Sequence, residues 1–316
     1  GGTLDMGSER IALASAADAA EDGAARRPNT DELPPPVDVG GNDLVTQDGV
    51  ALKATFFPGS KGKESVPIIL LHSWKGNRKE FVTLAPVLWQ AGHAVLVPDL
   101  RGHGESTTQY VGGGSVELSA AKFVVGDFAQ MVQFDMETLK SFLIKKNNLG
   151  ELNIEKLCVV GAEMGATVAL NWALLDWSWP QYPGIKQGQH VKALVLLSPE
   201  RRFKGISIED ALKNPLLNRF LSVYILLGGE DPKIAGQNER IHAMLSRLHP
   251  EPAEGQEAKD QTLFYKAFET KAQGAKLLDP RLNLAAEQRI EKFIQLRLVA
   301  KDYPWAETGK KPGKSK

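Results

Sequence analysis

The feature that most constrains the fold is a glycine-flanked turn in the middle of the chain. Residues 157–162 form an apolar, β-branched run, the segment Gly161–Gly165 reads Gly-Ala-Glu-Met-Gly, and a helix-forming run continues to Leu170. An apolar run, a sharp turn and a helix in this order predict a strand–turn–helix unit. The two glycines suit a turn that packs closely on both sides of a strained central residue. That central residue, Glu163, is the first candidate functional residue.

The composition is that of an ordinary globular protein. The 316 residues are 42% apolar and 24% charged, which is enough for one sizeable buried core. The formal net charge is zero, and no apolar run is long enough to span a membrane. The single cysteine, Cys158, cannot form an internal disulfide and is expected inside a strand. We therefore predict a soluble protein with no nucleic-acid partner and no membrane span.

Composition also divides the chain into three parts. Residues 1–42 are rich in Ala, Gly, Pro and acidic residues, so we predict a disordered leader. Within it, Ile11–Ala16 is either the remnant of a signal peptide or part of an Ala-rich disordered tail. A single domain is expected over residues 43–300. Residues 301–316 are polar and lysine-rich, and we predict a solvated C-terminal tail.

Apolar strands and helices alternate through the predicted domain. An Asp48-Gly49 pair between two β-type runs predicts a hairpin at its start. Continuous apolar strands separated by helices predict an α/β fold with a mostly parallel sheet and helices on both faces. The predicted strands are Val66–His72, Ala94–Pro98, Lys156–Ala162, Val191–Leu197, Leu221–Leu227 and Thr262–Phe268, and the predicted helices are Glu80–Gln90, Asp127–Lys146, Met164–Leu175, Ile234–Leu248 and Leu284–Leu298.

Four motifs in this order resemble the α/β-hydrolase superfamily, in its serine aminopeptidase and esterase-like branch. Leu70–Trp74 is similar to the His-Gly-x loop that supplies an oxyanion-hole N–H in that family, and Pro98–Ser106 is similar to its D-x-R-G-H-G-x-S loop. Gly161–Gly165 is similar to the nucleophile elbow G-x-S-x-G. Gly228–Pro232 is similar to the loop that carries the acid of the catalytic triad, which assigns that position to Asp231.

The resemblance implies an α/β-hydrolase fold with an eight-stranded, mostly parallel sheet. It implies no large cap, because the segment Pro199–Phe220, where a cap is often inserted, is short. More narrowly, the chain resembles a group of planctomycete hydrolase-like proteins that also read Gly-Ala-Glu-Met-Gly at the elbow and are often made with export signals. This resemblance favours an extracytoplasmic location over a cytoplasmic one.

The sequence departs from the family at two of the three triad positions. The elbow carries Glu163 where the family has serine, and Gln273-Gly274 stands where the family often has His-Gly. No histidine follows His249. Acyl transfer needs a hydroxyl, an imidazole and an orienting carboxylate. The degenerate triad positions Glu163, Asp231 and Gln273 therefore argue against Ser-His-Asp hydrolysis.

Three interpretations of Glu163 remain open. In the first interpretation, Glu163 is a structural plug, held by backbone N–H groups at the helix start or by Lys75 or Arg78. Alternatively, it is a ligand-binding carboxylate in a retained pocket, together with Asp231. Finally, it is a catalytic carboxylate that acts as nucleophile or general base.

The candidate site also includes residues around Glu163. Asp231 has a local alternative, because Asp before a proline at a helix start often caps the helix. Gln273 can donate and accept, so we expect it to bridge Asp231 and Glu163. No His-x-x-x-His or Cys-x-x-Cys spacing occurs, so we predict no metal site and no cofactor. The ligand-binding candidates are His72, Ser73, Trp74, Glu163, Met164 and Asp231.

An aromatic segment, Trp172–Tyr182, follows the predicted elbow helix. It is either a cluster that covers the sheet or a surface for a partner or ligand.

Together these features predict a non-hydrolytic pseudoenzyme that binds a small ligand or a protein partner. The alternatives are an atypical ester or amide hydrolase that uses Glu163, and a structural or interaction protein that uses the aromatic segment.

Overall fold

A computed structural model describes residues 33–183 and 186–309, apart from the side chain of Ala258. Five strands of the main sheet are buried along their whole length and are largely apolar, as expected for strands that are covered on both faces. The strands are β1 Val37–Val39, β2 Val50–Ala51, β3 Lys53–Phe57, β4 Pro67–Leu71, β5 Ala94–Asp99, β6 Thr108–Val111, β7 Gly114–Glu117, β8 Leu157–Ala162, β9 Val191–Leu197, β10 Arg202–Phe203, β11 Ile206–Ser207, β12 Ser222–Gly228 and β13 Leu263–Phe268.

Eight strands form one sheet in the order β1-β3-β5-β4-β8-β9-β12-β13. The pairs from β5 to β13 are parallel, whereas β1 and β3 run antiparallel to their neighbours. Alternate residues of each strand enter different apolar clusters: Ile69 and Val159 lie in one, and Ile68 and Val160 lie in the other. The predicted fold class and the eight-stranded, mostly parallel sheet are confirmed.

Helices connect the parallel strands and cover both clusters. They are α1 Leu84–Gln90, α2 Val125–Gln130, α3 Met136–Asn148, α4 Met164–Ser178, α5 Glu209–Lys213, α6 Pro215–Phe220, α7 Pro232–Ser246, α8 Glu257–Asp260 and α9 Ala286–Ile294. Between β9 and β12 the chain forms only the short β10–β11 hairpin, α5 and α6, so the prediction of no large cap is confirmed. Within the described residues, no helix combines the length and apolarity needed to cross a bilayer.

Local details differ from the sequence-based expectations. The predicted helix 127–146 is divided, because a π-helical turn at Met131–Asp135 separates α2 from α3. The Asp48-Gly49 turn closes only a single bridge, between Val45 and Ala51, and β2 pairs instead with β6. The exposed β6–β7 hairpin was not predicted, because its residues lack the alternating apolar pattern of a half-buried strand.

Both ends of the predicted domain extend further than the composition indicates. Val37–Val39, inside the predicted leader, pairs with β3 as an edge strand. At the other end, the indole Nε1 of Trp305 donates to the carbonyl of Leu152 at 3.1 Å, and Thr308 is buried. Part of the predicted solvated tail therefore packs on the body. The signal-like stretch at residues 11–16 lies outside the described residues, as do residues 1–32 and 310–316.

Candidate functional site

Glu163 occupies a strained turn between β8 and α4. Its φ and ψ are 50° and −105°, a backbone conformation that side-chain-bearing residues rarely adopt. The flanking glycines make the turn possible, because a Cβ at Gly161 would collide with the backbone of Gly165, and a Cβ at Gly165 would collide with the carbonyl of Leu71. The geometry therefore explains the glycine spacing and orients Glu163 at the carboxyl ends of the parallel strands, where ligands bind in sheets of this kind.

A cleft of about 770 Å³ lies above this edge of the sheet. Its wall combines an indole, two acidic side chains and two exposed lysines, so it is polar and mixed in charge. It is lined by Ser73, Trp74, Glu80, Glu163, Lys271, Ala272, Gln273, Ala275 and Lys276.

The Glu163 carboxylate is not held in the way that the plug interpretation requires. Within residues 33–183 and 186–309, no backbone N–H donates to it and no Lys, Arg or His lies within ion-pair distance. Arg78, one predicted partner, instead binds Asp99 at 2.6 Å and also pairs with Glu105. The plug interpretation is therefore wrong for this structure. Glu163 instead lines the cleft.

The surroundings of Glu163 disfavour its charged form. Partial burial raises the pKa of the Glu163 carboxyl, and the nearby carboxylates of Glu200 and Glu80 raise it further. Lys276 acts in the opposite direction without cancelling these effects. A partly desolvated carboxylate with a raised pKa and no bound cation can accept a proton or a hydrogen bond from a ligand.

Ser73 is committed to Glu80. Its backbone N–H donates to Glu80 Oε2 at 2.9 Å, and its hydroxyl donates to Glu80 Oε1 at 2.6 Å. A hydroxyl carries one proton, so the bond to Glu80 leaves none for Glu163 in this arrangement. Ser73 therefore lines the cleft, as predicted, but does not act as a free hydroxyl.

His72 has a structural role and does not line the cleft. Its Nε2 accepts from the Leu100 N–H at 3.0 Å, which leaves Nδ1 to donate to the Ser73 carbonyl at 2.8 Å. Burial lowers its pKa, so the ring stays neutral. The neighbouring His103 is also desolvated, and its pKa falls to about 4. Neither ring is available to Glu163, and the ligand-binding assignment of His72 is wrong.

The loop after β5 is held by buried ion pairs. The Arg101 guanidinium contacts Asp135 at 2.7 Å and Asp48 at 2.7 Å. These ion pairs give Arg101 and Asp135 a structural role and do not indicate a catalytic one.

Gln273 does not bridge Glu163 and Asp231. Its Nε2 donates to the Gly228 carbonyl at 2.8 Å, and its Oε1 accepts from the Gly228 N–H at 3.2 Å. Its Oε1 also accepts from the Ser198 hydroxyl at 2.6 Å. The side chain therefore fastens the loop after β13 to the ends of β12 and β9, because a primary amide matches the donor and acceptor of one backbone residue.

Asp231 caps helix α7. One carboxylate oxygen accepts from the backbone N–H groups of Lys233 at 2.9 Å and Ile234 at 3.2 Å. It does not line the cleft, so its assignment as a ligand-binding partner of Glu163 is wrong. The Met164 side chain is fully buried and lies outside the cleft as well, although Met164 begins α4 and its N–H has no partner within the helix.

The other histidines are remote from Glu163 or bonded elsewhere. His249 contacts Thr262 and Asn218, and His242 packs on the ring of Tyr265. Within the described residues, no three His, Cys, Asp or Glu side chains form a group that could hold a metal ion.

The structure adds residues that the sequence did not indicate. Glu80, Lys271 and Lys276 line the cleft, and Glu200 is close enough to Glu163 to raise the pKa of its carboxyl. Glu80 lies in a predicted helical run, and the lysines lie in a loop, so no spacing signal marked them. Only the fold brings these charges to one cleft.

The aromatic segment divides into a buried and an exposed half. Trp172 is fully buried and donates to Glu137 Oε1 at 2.9 Å, and Trp177 donates to the Val191 carbonyl at 2.9 Å. Trp179 and Tyr182 are exposed. The segment therefore covers the sheet, as one interpretation predicted, and leaves two aromatic rings at the surface.

Comparisons with known proteins agree with the geometry. The family described as alpha/beta hydrolase fold matches residues 66–226, just over half of the chain. No curated protein sequence matches significantly.

Solved structures with the same fold include three hydrolases. An esterase of Pyrococcus furiosus is 16% identical with a TM-score of 0.57 and covers 84% of this chain and 91% of its own. A dienelactone hydrolase from Anabaena variabilis is 17% identical with a TM-score of 0.55, and the match covers 83% of this chain and 99% of the dienelactone hydrolase. A thermostable carboxyl esterase from Bacillus coagulans is 12% identical with a TM-score of 0.56, and the match covers 83% of this chain and 99% of the esterase.

Proposed function

The chain belongs to the alpha/beta hydrolase fold family, and from that premise we propose that it is a non-hydrolytic member that binds a small ligand in the cleft above Glu163. The observation that carries this proposal is the Glu163 carboxylate itself. It stands at the turn where a hydrolase of this family would carry its nucleophile, faces the cleft and has no cation or backbone N–H bound to it among the described residues.

The charges of the cleft indicate a ligand class. Glu163 and Glu80 line the cleft, Glu200 is close enough to Glu163 to raise the pKa of its carboxyl, and the exposed lysines Lys271 and Lys276 line the same cleft. A small molecule with a protonated amine would relieve the repulsion that raises the pKa of Glu163, and a carboxylate on the same molecule would face the lysines. The Trp74 indole lines the same cleft as Glu80 and Glu163 and can contact a bound cation.

A thermal-shift screen tests this proposal. The probes are small aliphatic and aromatic amines, amino acids and their N-acetylated, uncharged counterparts. A ligand of the native state raises the melting temperature in proportion to its affinity. We expect at least one amine to stabilise the chain, its acetylated counterpart to have no effect, and Glu163→Gln to abolish the shift. Stabilisation by acetylated and free amines alike, or an unchanged shift in Glu163→Gln, would contradict the proposal.

A second candidate function is hydrolysis with Glu163 as general base. It is favoured by the raised pKa of that carboxyl and by the Met164 N–H at the start of α4, for which the described residues supply no hydrogen-bond acceptor and which lies where an oxyanion would be stabilised. The fold relatives named above include esterases.

Short acyl esters and aminoacyl amides distinguish the two candidates. The binding proposal expects no turnover above the uncatalysed rate. Turnover that is lost in Glu163→Gln but retained in Glu117→Gln, an exposed control on the β7 strand, would establish the hydrolytic function instead.

A further inference from the structure

A second cavity lies at the opposite end of the sheet. It has a volume of about 220 Å³ and is lined by Glu155, Trp177, Lys192, Phe220, Tyr303 and Pro304. Lys192 is the second residue of β9, whereas the cleft lies beyond the last residue of the same strand. A seven-residue strand is about 20 Å long, so the two cavities are separate.

Three of the six residues that line this cavity are aromatic. The rings of Trp177 and Phe220 stack with centroids 5.1 Å apart and planes 7° apart. The Lys192 ammonium lies 5.1 Å from the Trp177 ring centroid and 5.8 Å from the Tyr303 ring centroid. Flat, apolar walls favour a flat, uncharged ring as occupant.

Lys192 is a buried lysine whose nearest carboxylate is bound more closely by another lysine. Its Nζ donates to the Gln189 carbonyl, and its distance to Glu155 Oε2 is 3.9 Å. Glu155 is itself paired more closely with Lys186. Burial lowers the pKa of Lys192 to about 8, with Lys186 contributing in the same direction. A desolvated lysine of this kind carries a neutral, nucleophilic amine in a sizeable fraction of molecules near neutral pH.

We propose that Lys192 is a selectively reactive amine that forms an imine with small, neutral aromatic aldehydes held in this cavity. The Lys192 nitrogen lone pair attacks the carbonyl carbon, a C–N bond forms, and the carbonyl π electrons move to oxygen. A proton then passes from nitrogen to that oxygen to give a carbinolamine. Loss of the hydroxyl with the second nitrogen proton releases one water and leaves the C=N bond.

Lys140 provides a matched comparison within the chain. It is also buried, but it contacts Glu137 at 2.9 Å and Asp176 at 3.4 Å. Lys140 therefore has two close carboxylate partners, and it does not line the cavity. It serves as the control for a buried lysine that lies outside the cavity.

Reductive trapping tests the proposal on the intact chain. The protein is incubated with benzaldehyde and cyanoborohydride at about pH 7.5, and the benzylated lysines are located by peptide mass spectrometry. We expect Lys192 to be labelled at least about tenfold faster than Lys140 or the exposed Lys145, because an amine with a lowered pKa is deprotonated more often. Lys192→Arg should remove this fast label.

Two further measurements make the result decisive. Phe220→Ala removes one wall at a half-exposed position and should reduce the labelling rate of Lys192 several-fold. Acetaldehyde, which has no ring, should show a smaller preference for Lys192 than benzaldehyde does. Label spread evenly over the lysines, or a Lys192 that stays unlabelled in the unmutated chain, would overturn the proposal, and neither result depends on whether a variant folds.

Discussion

The backbone of Gly274 lies directly against the side chain of Glu163: a Cβ at position 274 would lie 2.9 Å from both Cγ and Cδ of Glu163. Gly274 also has a φ of 57°, and its N–H donates to the Ser198 hydroxyl at 2.9 Å. The loop that follows the last strand thus makes room for the longer acidic side chain at the turn. The two positions are physically coupled, so a change at one alters what the other tolerates.

Gly274→Ala is expected to destabilise the protein by about 2 to 4 kcal/mol, because it adds a collision with Glu163 to the strain of a positive φ. Gly112→Ala is a matched control, since Gly112 has the same φ of 57° and nothing within 4 Å of its added Cβ. The control should lose only about 1 kcal/mol. Urea unfolding at neutral pH gives both values.

The coupling itself is measured by a double-mutant cycle. In the Glu163→Ala background, Gly274→Ala should cost no more than Gly112→Ala does, because the colliding atoms are gone. Equal costs for Gly274→Ala with and without Glu163 would show that the two residues are not in contact.

The stability of the Glu163→Gln variant should depend on pH in a defined direction. The pKa of Glu163 is higher in the folded chain than in the unfolded chain, so folding favours the protonated form. The unmutated chain therefore loses stability relative to Glu163→Gln as the pH rises through the folded pKa. We expect the variant to be more stable by up to about 1 kcal/mol at neutral pH.

This difference should disappear below about pH 4, where the carboxyl is protonated in both states. Chemical unfolding of both proteins across this pH range measures the effect. A variant that is less stable than the parent at neutral pH would indicate that the carboxylate has a bound cation or donor that stabilises it.

Whether a feature could be predicted from the sequence depends on how far apart along the chain the interacting residues lie. The strand–turn–helix unit around Glu163 was predictable, because glycine spacing and apolar periodicity are local signals. The Gln273–Gly228 bonds were not, because their partners are 45 residues apart and an amide has many equally suitable acceptors. The reactive surroundings of Lys192 were also invisible, since Trp177, Phe220 and Tyr303 converge on it only through the fold.

Asp231→Ala should destabilise the chain by about 1 kcal/mol, because it removes the cap from two backbone N–H groups of α7. Asp231→Asn should retain most of the stability, since its side-chain oxygen can accept the same bonds. Neither change should alter amine binding in the cleft, because Asp231 does not line it. Loss of amine binding in Asp231→Asn with unchanged stability would show that Asp231 contributes to ligand binding.

Gln273→Met should cost about 1 to 3 kcal/mol, because it keeps the length of the side chain but leaves the Gly228 N–H and carbonyl without their partner. Gln181→Met serves as the control, since Gln181 is exposed and its single bond is to the nearby Trp179 carbonyl. Thermal unfolding at one scan rate compares the two. Equal effects would mean that the amide at position 273 does not fasten the loop.

Restoring the missing triad residues should not restore hydrolysis. Glu163→Ser with Gln273→His supplies a hydroxyl and an imidazole. However, the side chain at position 273 is directed to Gly228 and Ser198, and Asp231 is occupied as a helix cap. An imidazole without an orienting carboxylate contributes little to acyl transfer. We therefore expect the double variant to cleave p-nitrophenyl acetate no faster than Glu163→Ser alone, measured with folded protein at equal concentration. A rate that rises about tenfold or more in the double variant would show that position 273 can reach the turn after all.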